Sequence, residues 1–199
     1  IRRTLVRLGR AGTIKTSGAS SSGTQEAINS VISAVARLAD RQHGALIVLQ
    51  RQDILDDYIK TGVMLNARVT PELLLQIFYP NTPLHDGAVV IVDGLLVAAS
   101  CVMPLSASGV LARSPERQMG LRHRAALGIS EVSDAVAVIV SEETGAISVV
   151  HGGRMIRRLD VERLENILRT FFRPYEGRKG LRGMLERRSI GRTQPRRGE

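Results

Sequence analysis

Apolar residues recur along this chain in two patterns, which together predict an alternation of helices and strands. Two segments carry apolar residues at helical spacing, the first from Ile28 to Leu38 and the second from Leu164 to Phe172. Continuous apolar runs such as ALIVL, AVVIV, AVAVIV and AISVV are typical of buried strands. The spacing of these runs predicts the order helix, strand, helix, hairpin, helix, hairpin or meander, helix.

Local signals predict where several of these helices begin. Ser22 and Gln25 are spaced like a capping box for the first long helix. Thr70 before Pro71 predicts the start of a short helix over PELLLQIF, and Asp160 is a candidate cap for the last helix. The stretch GLRHRAALGISEVS is also expected to be helical.

The stretch NTPLHDGAVVIVDGLL contains the pair Asp-Gly twice, and the two pairs have different surroundings. Asp93-Gly94 lies between two apolar runs, which predicts a two-residue hairpin turn. Asp86-Gly87 follows a segment with two prolines, which cannot donate to a strand ladder. We therefore expect Asp86-Gly87 at the mouth of a strand, where it forms either a tight turn or a small reactive site.

The element order predicts an α/β fold with a mixed, largely antiparallel central sheet flanked by helices, since strands joined by tight turns must be antiparallel. Residues 1–23 are expected to be a basic segment ending in the small-residue linker TSGASSSG. Residues 24–176 are expected to form one domain, with a functional loop at about 104–120. Residues 177–199 are basic, have no apolar period and are expected to be disordered.

Composition narrows the classes of function. The net charge of +9 is concentrated at the two ends, because residues 21–153 carry nine Arg and Lys against thirteen Asp and Glu. With only six Phe and Tyr and no Trp, there is little with which to stack bases, so a specific nucleic-acid reader is disfavoured. Cys101 is the single cysteine, so an internal disulfide is impossible and a reducing compartment is indicated. Its position within a predicted strand indicates a small core residue. No apolar run is long enough to cross a membrane.

Two short motifs could carry chemistry. Arg122-His123-Arg124 opens a predicted helix, whose amino terminus and guanidinium groups would suit a polyphosphate, although an exposed basic turn is the plainer interpretation. His85 and Asp86 offer ligands of the kind that hold Mg²⁺ together with substrate phosphates, and a simple turn remains equally open.

Other polar residues give weaker signals. The acids of SEETG are expected to be solvated in a hairpin turn, and His43 and His151 are expected to be structural or surface residues.

The two motifs taken together are more specific than either alone. DGA at residues 86–88, with RHR about 35 residues later, resembles the signature pair of the diadenylate cyclase domain family. The surrounding stretches GALIVLQR, PNTPLHDGAVVI and RHRAALGISEVSDAVAVIVSEETG strengthen the resemblance, which runs from about Thr24 to Phe172 and is greatest to the membrane-associated class. The resemblance implies a diadenylate-cyclase-like single domain that condenses two ATP molecules into cyclic di-AMP, with Mg²⁺ or Mn²⁺, in a face-to-face homodimer or higher oligomer.

The resemblance also implies roles for individual residues. The implied catalytic residues are Asp86, Arg122 and Arg124. The implied metal ligands are Asp86, His85 and Glu143. The implied substrate contacts are Gly87, Ala88, Leu121, His123 and Ser141.

Three positions depart from the family pattern. Leu121 stands where the family usually has Thr, Val102 stands where an aromatic residue often lies near adenine, and Gln50-Arg51 replaces Glu-Arg. These departures bear on turnover and base contacts, and they motivate an alternative, a nucleotide-binding regulatory module without catalysis. A nucleic-acid-binding protein that relies on its basic ends is a weaker third hypothesis.

The resemblance implies regulatory protein partners and attachment to a membrane only through segments that lie outside these 199 residues. We accordingly expect a cytoplasmic location, at the cytoplasmic face of the cell membrane in the full-length protein.

Overall fold

The computed structural model describes residues 19–106 and 120–173, which form a seven-stranded sheet with helices on both faces. The helices are α1 (Ala19–Asp40), α2 (Asp56–Ile59), α3 (Pro71–Ile77), α4 (Leu121–Val132) and α5 (Val161–Phe171). The strands are β1 (Ala45–Leu49), β2 (Val63–Arg68), β3 (Ala88–Val92), β4 (Leu95–Cys101), β5 (Val136–Val140), β6 (Ile147–His151) and β7 (Arg154–Leu159). Their order in the sheet is β2-β4-β3-β1-β5-β6-β7.

The predicted mixed, largely antiparallel sheet is confirmed. Within the described residues, β1 and β3 are the one parallel pair, with Ile47 opposite Val89, and the other neighbouring strands are antiparallel. The parallel pair needs a crossover connection, and the chain from β1 to β3 passes through α2, β2 and α3.

Burial on both faces explains why the central strands are continuously apolar. Ile47 of β1 belongs to the cluster that packs with α1, α3 and α5, whereas its neighbours Leu46 and Val48 belong to the cluster that packs with α2 and α4. Successive side chains of a strand point to opposite faces, so every position of β1 needs an apolar residue. Cys101 lies in the second cluster with no exposed surface, which confirms it as a core residue.

The predicted turn and two of the predicted helix caps are confirmed. Asp93 and Gly94 have φ of 49° and 86° and close the antiparallel hairpin between β3 and β4. The side chain of Thr70 accepts a hydrogen bond from Leu73 N at the start of α3, and Asp160 caps α5 in the same way.

The prediction of a capping box at Ser22 was wrong. Helix α1 begins at Ala19, so Ser22 lies inside the helix, and the part of the expected linker from residue 19 onward is helical. Gln25 Nε2 instead donates to the carbonyl oxygen of Phe172 at 2.8 Å, because α1 packs against α5. This contact between distant segments outweighs the local capping signal.

Two elements were not predicted, the short helix α2 and the strand β2. β2 lies at the edge of the sheet, with Val63 and Met64 about half exposed, and its pairing with β4 is irregular between Met64 and Ala67. Asn66 within it has φ of 48°. An exposed, irregular edge strand lacks the apolar run that identifies a buried strand from sequence.

Several predictions fall outside the described residues: the basic segment over residues 1–18, most of the loop at 104–120, and the tail at 177–199. Across 19–106 and 120–173, none of the helices combines the length and the apolar character that crossing a bilayer requires.

Candidate active site

The sheet topology brings three distant turns to one edge. β1 and β3 start at the same edge because they are parallel, and β5 ends there because it is antiparallel to β1, with Ala45 opposite Val140. The HDGA segment before β3 therefore lies on one side of the start of β1, and the SEETG turn after β5 lies on the other. The amino terminus of α4 reaches the same edge.

These segments enclose a cleft of about 410 Å³. It is lined by His85, Asp86, Gly120, Leu121, Arg122, His123, Val140, Ser141, Glu142 and Glu143. Seven of the ten site residues predicted from the sequence are among them. Of the remaining three, Gly87 and Ala88 follow Asp86 directly, and Arg124 lies in the first turn of α4.

In the HDGA segment, the imidazole of His85 is bonded to the backbone, whereas the carboxylate of Asp86 is exposed. His85 Nδ1 lies 2.5 Å from the carbonyl oxygen of Thr82, which can only accept, so Nδ1 carries the proton and Nε2 keeps its lone pair in the neutral ring. Asp86 is exposed, and its Oδ1 accepts a hydrogen bond from Gly87 N at 3.0 Å.

Gly87 and Ala88 both have packing roles. Gly87 has φ of 91°, and a Cβ there would lie 2.8 Å from the carbonyl oxygen of Cys101, so the turn requires glycine. The side chain of Ala88 is fully buried in the core beneath α4. Contacts of these two residues with a substrate stay predictions.

Arg122 connects the turns on both sides of the cleft. Its Nη1 contacts Glu142 Oε2 at 2.5 Å, and its Nη2 donates to the carbonyl oxygen of His85 at 3.3 Å. The Nε atoms of Arg122 and Arg124 are buried and have no hydrogen-bond partner among the described residues. Each of the two side chains therefore has one N–H group without a partner in this part of the chain, but burial keeps these N–H groups from an anion in the cleft, and Arg124 is not among the lining residues.

Helix α4 adds the favourable field of a helix amino terminus. It runs for 12 residues from Leu121, and its N-cap is Gly120, which has no side chain to satisfy the first N–H groups. Such a terminus attracts phosphate through its free N–H groups and its dipole. Burial lowers the pKa of His123, and Glu143 partly offsets this, so the imidazole is neutral near pH 7.

The SEETG turn contributes a hydroxyl and two carboxylates. Ser141 Oγ accepts a hydrogen bond from Thr144 N at 3.3 Å, which leaves its hydroxyl proton available as a donor. Glu143 and Glu142 line the cleft beside it.

The available oxygen and nitrogen donors suit a metal ion that arrives with a polyphosphate. No group of three or more His, Cys, Asp or Glu side chains in residues 19–106 and 120–173 forms a ready metal site. Mg²⁺ usually takes one or two carboxylates and completes its shell with water and substrate phosphates. Asp86, Glu143 and His85 line one cleft without forming such a group, and the two carboxylates are donors of the kind that Mg²⁺ takes.

Sequence reasoning missed Glu142 and Gly44. Glu142 is 64% exposed, as expected for a solvated turn residue, but it also pairs with Arg122, and a Cβ at Gly44 would lie 2.7 Å from the same guanidinium. No local sequence pattern indicates the contacts of Arg122 with Glu142 and Gly44, because these three residues come from separate parts of the chain. Two of the three departures from the family pattern are exposed, Leu121 by 69% and Val102 by 66%, and Leu121 lines the cleft.

Comparison of the sequence with known proteins gives a consistent result. A family model described as DisA bacterial checkpoint controller nucleotide-binding matches residues 32–155. Cyclic di-AMP synthase CdaA of Bacillus subtilis (strain 168) is 44% identical over 174 residues, 87% of this chain and 62% of that protein. A diadenylate cyclase of Listeria monocytogenes serotype 1/2a (strain 10403S) is 44% identical over 169 residues, 84% of this chain and 60% of that protein. The chain thus spans about three fifths of the length of these relatives.

Solved structures agree with the sequence comparison. A double mutant of DacA from Staphylococcus aureus is 45% identical and superposes with a TM-score of 0.70, over 74% of this chain and 96% of that chain. A hypothetical membrane spanning protein from Bacillus cereus is 44% identical, with a TM-score of 0.63 over 68% of this chain and 64% of that one. The predicted α/β single domain and the predicted resemblance are confirmed, and the chain belongs to the diadenylate cyclase (DAC) domain family.

Proposed function

We propose that this chain is a diadenylate cyclase, which condenses two ATP molecules into cyclic di-AMP and releases two pyrophosphates. The observation that carries the proposal is the meeting of Asp86, at the mouth of β3, with Arg122, at the start of α4, in one cleft. The names of the relatives, cyclic di-AMP synthase and diadenylate cyclase, support the same reaction.

The reaction makes two equivalent bonds. The 3′-hydroxyl oxygen of each ATP attacks the α-phosphorus of the other, and the bond from that phosphorus to the bridging oxygen of the β-phosphate breaks. Each hydroxyl loses one proton, and each pyrophosphate leaves with the electron pair of the broken bond. A cleft of about 410 Å³ is the size of a site for one small ligand, so the second ATP is best supplied by a second copy of the chain. A homodimer or higher oligomer with facing clefts follows from this requirement.

The residues of the cleft suit the charge changes of this reaction. The exposed carboxylate of Asp86 is the candidate group that draws the proton from the attacking hydroxyl. Arg122, Arg124 and the amino terminus of α4 would neutralise the triphosphate and the negative charge that grows on the departing pyrophosphate. Neutral His123 and the hydroxyl of Ser141 would donate hydrogen bonds to phosphate oxygens.

Asp86, His85 and Glu143 are the candidate ligands for Mg²⁺ or Mn²⁺. When bound, the ion would supply positive charge that makes the hydroxyl more acidic and shields the phosphates. The position of His85 Nδ1 on a backbone carbonyl is the arrangement usual for histidines that ligate a metal through the other nitrogen.

In the full-length protein we propose a place at the cytoplasmic face of the membrane, with regulatory protein partners and no specific nucleic acid. The greater length of the relatives supports additional segments, and one structural relative is described as a membrane spanning protein.

The direct test is to incubate the chain with ATP and either Mn²⁺ or Mg²⁺ and to measure cyclic di-AMP by mass spectrometry. Asp86→Asn should bind ATP but lose roughly a hundredfold or more of the product rate, because the amide cannot accept the proton. Asp57→Asn is a matched control, since Asp57 is 96% exposed on α2 and contacts Lys60 rather than the cleft. Absence of product from folded, ATP-binding protein would refute the cyclase, and full activity of Asp86→Asn would remove this carboxylate from the mechanism.

A nucleotide-binding regulatory module is the second candidate. The observation that favours it is the exposed Leu121 in the cleft, where the family usually has a threonine hydroxyl. This candidate predicts that ATP or cyclic di-AMP binds without being consumed, which the same incubation measures.

A further inference from the structure

The ion pair between Arg122 and Glu142 is asymmetric. The two side chains touch at 2.5 Å, yet the arginine is only 19% exposed while the glutamate is 64% exposed. Arg122 is also held by the carbonyl oxygen of His85, so the guanidinium keeps one anchor that does not involve Glu142. Glu142 is therefore the more readily displaced partner of the pair.

Gly44, just before β1, supplies the space that this pair occupies. A Cβ at Gly44 would lie 2.7 Å from Arg122 Nη1 and 2.8 Å from Glu142 Oε2. Gly44 has no positive φ, so the reason for glycine here is close contact rather than backbone conformation. The backbone at Gly44 therefore lies in close contact with both the Glu142 carboxylate and the Arg122 guanidinium.

We propose that Glu142 is a displaceable counterion of Arg122, which weakens the binding of polyphosphate in the cleft and so keeps substrate and product exchangeable. This inference rests on the proposed function, because it takes the anion at Arg122 to be the phosphate chain of ATP or the pyrophosphate product. An incoming phosphate oxygen and the Glu142 carboxylate compete for the same Nη1 donor. Binding of the phosphate therefore requires the ion pair between Arg122 and Glu142 to separate. Glu142 is the partner that moves, because its side chain is the one exposed to solvent.

Glu142 is thus a positioning residue, which acts through Arg122 and weakens the binding of the phosphate chain equally in the ground state and in the transition state. Once it moves aside, Arg122 remains tied to His85 and still faces the phosphates. Weaker binding of substrate and transition state by the same amount raises KM and leaves kcat unchanged. The opposite model, in which Glu142 is needed to aim Arg122, predicts that its loss weakens anion binding.

Binding of inorganic pyrophosphate, measured by calorimetry in metal-free buffer with a chelator, separates the two models. Glu142→Gln keeps an amide oxygen for Nη1 but removes the competing charge, so it should bind pyrophosphate about threefold to tenfold more tightly than the wild type. Glu142→Asp keeps the charge on a side chain one methylene shorter and should stay within about twofold of the wild type. The absence of metal excludes any effect through a metal ligand.

Glu26→Gln is the matched control. Glu26 pairs with Arg68 at 2.8 Å and is 63% exposed, nearly the same as Glu142, but it lies on α1 away from the cleft. Its loss should leave pyrophosphate affinity unchanged. Thermal unfolding of all three variants checks that the fold is intact, and the high exposure of both glutamates favours folded variants.

The activity assay adds a second readout. Glu142→Gln should lower KM for ATP by a factor similar to its gain in pyrophosphate affinity, without raising kcat. Unchanged or weaker pyrophosphate binding by folded Glu142→Gln would overturn the counterion role, even if cyclic di-AMP is made. Tighter pyrophosphate binding without any cyclic di-AMP would support the counterion role and refute the cyclase, so the two failures are distinguishable.

Discussion

Gly128 is the position where α4 approaches the chain that follows β4. A Cβ built on Gly128 would overlap the carbonyl oxygen of Pro104, and it would lie 2.7 Å from the carbonyl carbon and 2.8 Å from Ser106 N. All three atoms belong to backbone, so no change of side-chain rotamer can relieve the contact. Replacement by alanine must therefore push α4 away from residues 104–106.

Two opposing effects set the magnitude for Gly128→Ala. Alanine inside a helix is favoured over glycine by about 1 kcal/mol, whereas overpacking of a tight core site typically costs about 1 to 3 kcal/mol or more. Because the overlap is with backbone, we expect the upper end of that range and a net loss of about 2 kcal/mol. For a chain of this size that corresponds to a fall in Tm of about 4 to 8 °C.

The same shift should reach the cleft. Ser106 N donates to the carbonyl oxygen of Arg124 at 3.0 Å, so the segment displaced by the new methyl group is bonded to the first turn of α4. We expect KM for ATP to rise in Gly128→Ala, because the guanidinium groups of that turn move relative to Asp86.

Gly23→Ala is the matched control. Gly23 lies in α1, and a Cβ there meets nothing within 4 Å, so only the helix preference acts and Tm should rise by about 1 to 4 °C. Circular dichroism during heating measures both variants. If Gly128→Ala unfolds at or above the temperature of the wild type, the close approach of α4 to residues 104–106 does not exist as described.

Two further predictions concern titrating groups in the described core and cleft. Burial raises the pKa of Cys101 to about 11, so iodoacetamide at pH 8 should label the folded protein far more slowly than the urea-unfolded protein, and equal rates would contradict its burial. Burial lowers the pKa of His123, so this imidazole takes up a proton less readily in the folded state than in the unfolded state. The free energy of unfolding should therefore decrease as the pH falls below about 6.5. Urea midpoints at pH 7.5 and 5.5 should differ less for His123→Gln than for the wild type, and an equal difference would show that His123 does not cause the loss.

The parts of the fold that follow from local periodicity were predictable from the sequence. The run AVVIV and the Asp93-Gly94 turn predict the β3–β4 hairpin because each strand position and each turn residue has its own local requirement. The strand β2 could not be predicted, because its half-exposed residues acquire their place only by pairing with β4. The Ser22 capping signal misled because the helix begins at Ala19 and Gln25 bonds to the carbonyl oxygen of the distant Phe172, which no local pattern indicates.

Seven of the ten residues predicted for the site line one cleft, whereas the contacts among them could not be predicted from the sequence. Asp86 and Arg122 could be singled out because DGA and RHR occur together at the spacing of the diadenylate cyclase signature, although each motif alone is explained as well by a turn. The contacts of Arg122 with Glu142 and Gly44 depend on the register of β5 beside β1, which no short sequence pattern encodes. Glu142 is 64% exposed, as expected for an acid in a turn, but its ion pair with Arg122 could not be predicted because the partner is 20 residues away in sequence.

The position of Arg122 decides which substitutions can test the mechanism. Its guanidinium joins the HDGA segment, through the carbonyl of His85, to the SEETG turn, through Glu142. Removal of Arg122 would take away a candidate phosphate ligand and, at the same time, a contact to each side of the cleft. A loss of activity in Arg122→Ala could therefore come from either cause. The side chain of Asp86 accepts its hydrogen bond from the adjacent Gly87 and not from across the cleft, so Asp86→Asn tests the carboxylate as proton acceptor or metal ligand while the cleft stays assembled.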